Sequence, residues 1–278
     1  MTEPLLLTTA RISTFDGPRS LTGATGFFFR REQRLFFVTS RHVLIDKPTD
    51  HHPDRVEITV HTSETDLRQV GVQSILLYED GKSVWRQGTD SKGEVDVAVI
   101  ELQQDLMPAG TTVQAFTPQH LLGKLDGVEV GVPLLLVGFP LGFYDTLHHL
   151  PVVRQAVIAS SFGVRFQGQG FFLTDARAHR GSSGAPVVMR DTGAGGALKY
   201  RLLGVHSSRM DMGTRDRTED ESLGLNCAWY ADILMTLTEP RAAAPKEVAA
   251  PLPATVAAPA TTPEPAKAAL SPLPAPRP

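Results

Sequence analysis

The sequence contains a single cysteine, Cys227, among its 278 residues. One thiol excludes an internal disulfide framework, on which small secreted domains usually depend, so a reducing compartment is favoured. No run approaches the roughly 18 apolar residues that a membrane span requires. The apolar stretch 5–7 is shorter than the core of a signal peptide and lacks a basic flank. We therefore expect a cytoplasmic protein that does not engage a membrane.

The chain also lacks a strong charge of either sign. Its 27 Lys and Arg residues against 30 Asp and Glu residues give a net charge of -3, which is not the electrostatic footprint of a nucleic-acid-binding protein. The adjacent pairs His51-His52 and His148-His149 project in divergent directions on any regular element, and no cysteine or acidic cluster accompanies them. We expect no metal, no organic cofactor and no nucleic-acid partner.

Short apolar runs separated by turn residues dominate the first 230 positions, a pattern typical of a β-barrel or β-sandwich. A short helix is predicted at Ala231–Leu237, with Pro240 just beyond its end. The predicted strands are Leu5–Ile12, Gly26–Arg30, Leu35–Thr39, Arg55–Val60, Val70–Leu77, Val95–Leu102, Leu134–Val137, Val152–Ala159, Gly170–Thr174, Ala185–Met189, Lys199–His206 and Leu223–Trp229.

The composition changes abruptly at Arg241. More than half of the residues from there to Pro278 are Ala or Pro, and none is aromatic. Such a segment buries too little apolar surface to offset its ordering entropy, so 241–278 is predicted to be a disordered tail. Two interpretations stay open: an arm that binds a regulatory protein partner, or an idle solvated tail.

A Gly-x-Ser-Gly turn at residues 181–184 precedes an apolar run. Glycine at position 181 permits unusual backbone angles, so that the N–H groups of Gly181 and Ser183, with Ser182 as an additional donor, converge on one point. One such oxyanion donor contributes about 3 kcal/mol of transition-state stabilisation. The alternative is a glycine-rich turn without chemistry.

His42 and Asp96 lie in two further segments suited to acid–base chemistry. His42 follows the apolar run 35–38, which places its imidazole at a strand end. Asp96 interrupts the apolar run 95–100, and a charge within a buried strand is costly unless it is paired. Its natural partner is the ring N–H of His42, although a histidine considered alone is more simply a surface residue. The order His, Asp, Ser supplies a base, a group that orients the base, and a nucleophile.

These segments resemble the trypsin/chymotrypsin-like serine endopeptidases, and most closely the bacterial HtrA-type protease domain, here without a PDZ domain. Thr39–Val43 is similar to the base box of that branch, and Asp96–Val99 to its acid box. Thr174–Pro186 aligns without gaps on the nucleophile box, with Ser182 in place of Asn and Ala185 in place of the second Gly. The resemblance covers residues 20–235.

The resemblance implies an all-β fold of two antiparallel six-stranded β-barrels with a short C-terminal helix and the tail. Residues 1–118 would form the barrel carrying His42 and Asp96, and residues 119–132 the linker. Residues 133–240 would form the barrel carrying Ser183, together with the helix. It further implies peptide or protein substrates, cleaved through an acyl-enzyme on Ser183.

The specificity pocket is predicted from Leu203–Ser208, which resembles the Gly-(Ile/Val)-His segment of glutamyl endopeptidases. There the histidine meets a Glu or Gln side chain at the P1 position, so His206 would do so here, with Ser207 beside it. Arg177 falls in the segment of the pocket base, whereas Ala178 stands where the family has a hydroxyl-bearing residue. The alternative is a histidine bonded within the barrel. At the level of function, the alternative is a protease-like binding or partner-gated module with a latent triad.

Overall fold

Nine strands and one short helix make up the N-terminal lobe, which ends at Leu102. A computed structural model describes residues 2–123, 127–191, 193, 196–210 and 223–240, so the predicted tail 241–278 lies outside the described residues. The elements of this lobe are β1 (Thr9–Asp16), β2 (Arg19–Arg31), β3 (Arg34–Thr39), α1 (Arg41–Leu44), β4 (Arg55–His61), β5 (Val70–Leu76), β6 (Tyr78–Glu79), β7 (Lys82–Ser83), β8 (Trp85–Asp90) and β9 (Gly93–Leu102).

Seven of these strands form one antiparallel sheet in the order β5-β4-β1-β2-β3-β9-β8, and β6 pairs separately with β7. The outer strands β5 and β8 make no ladder with each other within the described residues. Closure of this sheet into the first predicted six-stranded barrel therefore stays a prediction.

The C-terminal lobe is a closed six-stranded barrel in the order β10-β11-β12-β15-β14-β13, all of it antiparallel. This barrel and the predominantly β character of the chain are confirmed. Its strands are β10 (Pro133–Gly138), β11 (Val152–Ile158), β12 (Phe171–Asp175), β13 (Pro186–Arg190), β14 (Tyr200–Arg209) and β15 (Leu225–Tyr230). Residues 103–132 connect the two lobes, and both belong to one compact unit, Met1–Glu239.

The apolar strands of the N-terminal lobe are buried on both faces. On β3, Leu35 and Phe37 reach the core inside the lobe, whereas Phe36 and Val38 reach a second core shared with the C-terminal barrel. Successive side chains of a strand point to opposite faces, so a strand between two cores reads as a continuous apolar run. The shared core fixes the strand ends from which the site is built.

The helices are short. α2 (Ile233–Leu237) follows β15 and begins two residues later than the predicted Ala231. Its terminal carbonyls accept hydrogen bonds from arginines of the N-terminal lobe: Arg31 binds Met235 O at 2.6 Å and Arg34 binds Thr238 O at 3.2 Å. No helix of the described ranges is both long and apolar enough to cross a membrane.

The departures from the predicted strands include β2, which begins at Arg19 and not at Gly26, and the short strands β6 and β7, which were not predicted. Two more occur near the N-terminus and in the β8–β9 hairpin. Residues Pro4–Thr8 form a 3-10 helix, so the strand predicted from Leu5 begins only at Thr9. Pro4 at the start fixes a backbone angle suited to a helical turn. Strand β8 was not predicted, because it is largely polar and belongs to a sheet edge. The other short 3-10 turns are Lys47–Thr49, Gln104–Leu106, Pro118–His120, Pro140–Gly142 and Phe166–Gly168.

Candidate active site

The structure brings His42, Asp96 and Ser183 into one hydrogen-bonded chain. His42 Nδ1 lies 2.7 Å from Asp96 Oδ2, and His42 Nε2 lies 2.9 Å from Ser183 Oγ. With Nδ1–H donating to the carboxylate, Nε2 is the acceptor of the Ser183 hydroxyl proton. The three groups come from α1, β9 and the turn before β13, so the chain crosses from one lobe to the other.

Asp96 is held by more than the imidazole ring. Its Oδ1 accepts the backbone N–H of His42 at 2.8 Å, and its Oδ2 also accepts the hydroxyl of Ser207. Only 19% of its side chain is exposed. Three donors therefore compensate the burial of this carboxylate and fix its orientation.

Burial and pairing oppose each other in setting the two pKa values. Desolvation alone would lower the pKa of His42, but the hydrogen bond and negative charge of Asp96 raise that pKa above its ordinary value. Desolvation alone would raise the pKa of Asp96, but the hydrogen bonds and charge of His42, aided by Ser207, lower it. The carboxylate stays ionised, and the imidazole is a stronger base than a free histidine.

The Ser183 hydroxyl has two acceptors within reach. Besides His42 Nε2, its Oγ lies 3.1 Å from the carbonyl oxygen of Ser207. When His42 is neutral, the hydroxyl can donate to the ring. When His42 is protonated, Nε2 becomes a donor and the hydroxyl proton can go only to Ser207 O. The arrangement is therefore active as a base–nucleophile pair only above the pKa of His42.

Every carbonyl of the nucleophile turn, from Arg180 to Ser183, is bonded. Arg180 O accepts Leu141 N–H at 2.6 Å, and Ser182 O accepts Ala185 N–H at 2.9 Å. The other two carbonyl oxygens of the turn accept hydrogen bonds from Thr25, a residue of the N-terminal lobe. Gly181 O accepts the Thr25 hydroxyl, and Ser183 O accepts the Thr25 backbone N–H. A backbone whose carbonyls are all anchored has its N–H directions fixed as well.

Within residues 181–184, the N–H groups of Gly181 and Ser183 have no acceptor among the described residues. Arg180 O points to Leu141, and because a trans amide directs its N–H opposite to its carbonyl, the Gly181 N–H points the other way. The predicted contribution of Ser182 is corrected: its N–H donates to His179 O at 3.1 Å and is not free. The turn thus offers two donors beside Ser183 Oγ for a developing oxyanion.

An open cleft adjoins this site. A cavity of about 1060 Å³ is lined by His42, Gly181 and Ser183 together with the β1–β2 hairpin and the loop after α1. This is the size of a ligand-binding cleft in proteins. The hydroxyl, the ring and the free N–H groups are therefore accessible to an extended chain.

The residues predicted for the specificity pocket differ in their burial and in their hydrogen bonds. His206 is 2% exposed, and its Nδ1 is buried without a hydrogen-bond partner among the described residues. Burial, followed by the proximity of His42, lowers the pKa of His206 to about 4, so its ring is neutral. The hydroxyl of Ser207 donates to Asp96, and its predicted contact with substrate stays a prediction. Arg177 is exposed and Ala178 is buried, and within the described ranges neither side chain bonds to the triad.

Sequence reasoning missed Thr25, Thr39 and Gly184. Gly184 has φ +85, and a Cβ there would overlap Thr25 O and Thr39 Oγ1. The signal for Gly184 was present as the second glycine of the motif, because glycine is the residue that tolerates both positive φ and close backbone approach. Thr39 is the first residue of the base box Thr39–Val43, but nothing there indicates its bond to Thr25, and nothing local distinguishes Thr25 from any other strand threonine.

Outside the site, Cys227 is buried, and burial raises the pKa of its thiol to about 11, which leaves it protonated and unreactive. In the part of the chain that the structure describes, no three His, Cys, Asp or Glu side chains are grouped so as to hold a metal ion.

Comparisons with known proteins identify the family of the chain. A family model described as the trypsin-like peptidase domain matches residues 24–194, which is more than half of the chain and includes His42, Asp96 and Ser183. No curated protein matches the sequence significantly.

Among solved structures, a variant of the HtrA-type protease AlgW with a tripeptide has a TM-score of 0.51 and 17% identity, over 83% of this chain and 58% of that one. The serine endoprotease from Yersinia pestis has a TM-score of 0.49 and 14% identity, over 83% of this chain and 61% of that one. The chain spans less than two thirds of the length of either. The likeness to the first describes a shared fold.

Proposed function

The chain belongs to the trypsin-like peptidase domain family, and on that premise we propose that it is a serine endopeptidase acting on protein or peptide substrates. One observation carries the proposal: Asp96, His42 and Ser183 form a continuous hydrogen-bonded chain beside two free N–H groups. A binding module does not need a nucleophile, a base and two oxyanion-binding N–H groups in one open cleft.

The proposed reaction begins with His42 Nε2 taking the proton of Ser183 as Oγ bonds to the substrate carbonyl carbon. The N–H groups of Gly181 and Ser183 bind the negative oxygen that forms, and Asp96 stabilises the imidazolium. His42 then gives its proton to the leaving amine, the C–N bond breaks, and an ester to Ser183 remains. Water attacks this acyl-enzyme while His42 takes one of its protons, and His42 returns that proton to Ser183 Oγ as the ester C–O bond breaks, which releases the acid and restores the Ser183 hydroxyl.

Fluorophosphonate labelling tests this function. We expect a fluorophosphonate probe to modify the protein at Ser183, because an activated serine displaces fluoride from phosphorus much faster than an ordinary hydroxyl does. Replacing Ser183 by Ala should abolish labelling and reduce peptide cleavage by about a million-fold, as for the nucleophile of subtilisin-type enzymes.

Two other outcomes have defined meanings. Peptide cleavage that survives Ser183→Ala at full rate would show that the nucleophile is another residue. Labelling that occurs only after another protein is added would favour the partner-gated module with a latent triad, and no labelling under any condition would favour a protease-like binding module. Fragmentation of the labelled peptide in tandem mass spectrometry distinguishes Ser183 from Ser182.

We also propose that the P1 position prefers Glu or Gln. His206 has a neutral imidazole whose buried Nδ1 lacks a partner in the described chain, and a polar P1 side chain that displaced the groups covering this atom would bond to it. An unpaired polar atom of this kind discriminates strongly, because a substrate that does not bond to it leaves it unsatisfied. Arg177 would add a positive charge at the pocket base.

Profiling with a peptide library checks this preference. We expect cleavage after Gln and Glu to exceed cleavage after Leu or Lys, and we expect His206→Val to reduce that ratio by about 10-fold or more while Ser183 still reacts with the probe. Preferred cleavage after large apolar or basic residues in the unmodified protein would remove His206 from the pocket and leave it as a buried barrel residue.

Several wider features belong to the same proposal. The N-terminal sheet would correspond to the first of two six-stranded barrels, which the core that it shares with the closed barrel supports. The single cysteine supports a cytoplasmic setting, and the resemblance to the bacterial HtrA-type branch supports a bacterial one. A regulatory partner would bind through the tail 241–278.

A further inference from the structure

Thr25 lies on β2, is fully buried, and connects the two lobes at the nucleophile turn. Its hydroxyl donates to Gly181 O at 2.7 Å and accepts the backbone N–H of Phe139 at 3.0 Å. These partners lie 156 and 114 residues further along the chain. One side-chain oxygen therefore ties together the two segments of the C-terminal lobe that border the oxyanion donors.

The backbone of Thr25 is fixed as well. Its N–H donates to Ser183 O at 3.0 Å, and its carbonyl accepts the hydroxyl of Thr39 at 2.8 Å. The surroundings are tight, since a Cβ added at Gly138 would lie 2.7 Å from Thr25 Oγ1. With both its N–H and its carbonyl bonded, Thr25 can hold its hydroxyl in one place.

Gly181 is the residue that needs such an anchor. Its φ is +88, and glycine occupies negative φ about as readily, so its own preferences do not select this conformation. Two bonds select it: Leu141 N–H holds the carbonyl before Gly181, and the Thr25 hydroxyl holds the carbonyl of Gly181 itself. Rotation of either peptide would turn the Gly181 N–H away from its present direction, which is opposite to the bonded Arg180 carbonyl.

We propose that Thr25 is a positioning residue whose hydroxyl sets the oxyanion donor of Gly181. The inference rests on the proposed function, because it assigns to Thr25 a part in the same reaction. Thr25 touches neither His42 nor the Ser183 hydroxyl in the described hydrogen-bond network, so it acts on the donor and not on the nucleophile or base.

The test compares Thr25→Val with Thr25→Ser and with a matched control, Thr8→Val. Valine keeps the shape of threonine but removes the hydroxyl, and serine restores it. Thr8 is equally buried and donates its hydroxyl to Leu5 O at 2.6 Å, but it bonds to no part of the site. All four proteins are titrated with a fluorophosphonate well below the lowest unfolding midpoint, and the maximal rate of modification and the concentration for half-maximal rate are measured separately.

We expect Thr25→Val to reduce the maximal rate by about 10- to 100-fold, short of the loss of a complete oxyanion donor. The half-maximal concentration should change less than about threefold, since the cleft itself is unaltered. Thr25→Ser should recover most of the rate, and Thr8→Val should match the unmodified protein. A loss of folding stability alone would not separate the maximal rate from the half-maximal concentration in this way.

Three results would overturn the proposal: Thr25→Val reacting at the unmodified rate, Thr25→Ser losing as much rate as Thr25→Val, or Thr8→Val losing rate equally. If Thr25→Val does not fold, Thr25→Ala replaces it in the same comparison with Thr25→Ser. Absence of labelling in the unmodified protein would reject the proposed function together with this inference. Normal labelling there with an unaltered Thr25→Val would reject this inference alone.

Discussion

The two lobes contribute to the site in different ways. The N-terminal lobe supplies side chains, His42 and Asp96, which bond directly to each other. The C-terminal lobe supplies Ser183 within a turn whose chemistry depends on the direction of backbone N–H groups. The difference teaches that the first half of the site is specified by residue type, whereas the second half is specified by how neighbouring backbone groups are anchored.

Substitutions in the two lobes should therefore affect the protein differently. A side chain such as Asp96 can be replaced by one of the same shape with little change in the fold. Such a substitution therefore affects the reaction rate and leaves the structure almost unchanged. The turn holds its shape through contacts from the other lobe, among them Thr25 and Thr39, so a change there alters structure and chemistry together. Substitutions on the two sides should therefore fail in distinguishable ways.

The largest expected difference comes from Asp96→Asn. The amide of Asn would donate toward the ring and favour the tautomer whose Nε2 carries the proton, so His42 could no longer accept the proton of Ser183. We expect kcat/KM to fall about 10⁴-fold with little change in the unfolding midpoint. Peptide cleavage and thermal unfolding measured on the same samples check this.

The pH dependence sharpens the same test. Activity requires neutral His42, so kcat/KM of the unmodified protein should rise with pH through the pKa of His42, which Asp96 raises above its ordinary value. Without the carboxylate charge, the remaining activity should rise at lower pH.

Glu94→Gln is the control for the charge itself. It removes a charge from the same strand, where Glu94 pairs with Arg41 at 2.9 Å and does not touch the ring. Its kcat/KM should stay within about threefold. An equal loss in both variants would mean that the charge of the strand matters, and not the bond to His42.

The sequence predicted the first half of the site better than the second. His42, Asp96 and Ser183 each stand in a context that singles them out: a strand end, a carboxylate within an apolar run, and a glycine-flanked serine. The structure brings these three together. The anchoring role of Thr25 was not predictable, because a bond between residues 156 positions apart leaves no trace in the residues beside either partner.

The fold shows the same division. Apolar strands such as β3 were predicted because burial on both faces produces an unbroken apolar run. Strand β8 was not predicted, because it pairs with β9 at a sheet edge and carries mostly polar side chains. Its glycine, Gly88, lies where a Cβ would contact Ile233 of α2, a tertiary reason that no local pattern contains. The closed barrel followed from family resemblance and not from periodicity.

Gly184→Ala tests whether the nucleophile turn depends on its contacts with the N-terminal lobe. A Cβ at position 184 would overlap Thr25 O and Thr39 Oγ1, and φ +85 is strained for any residue with a side chain. Both the turn and the β2–β3 region against it would have to shift. We expect a loss of about 2–4 kcal/mol in the free energy of unfolding, which lowers the unfolding midpoint by roughly 5–15 °C.

Gly17→Ala is its matched control, because Gly17 also has positive φ, +53, but a Cβ there meets nothing within 4 Å. The control shares the backbone strain and lacks the overlap, so it should cost only about 1–2 kcal/mol and leave fluorophosphonate labelling of Ser183 intact. Gly184→Ala should lose labelling even at temperatures where it is folded, since the displaced turn no longer presents both N–H groups. If Gly184→Ala unfolds no earlier than Gly17→Ala and labels normally, the turn does not depend on contact with the N-terminal lobe. The two halves of the site would then be held in the same way.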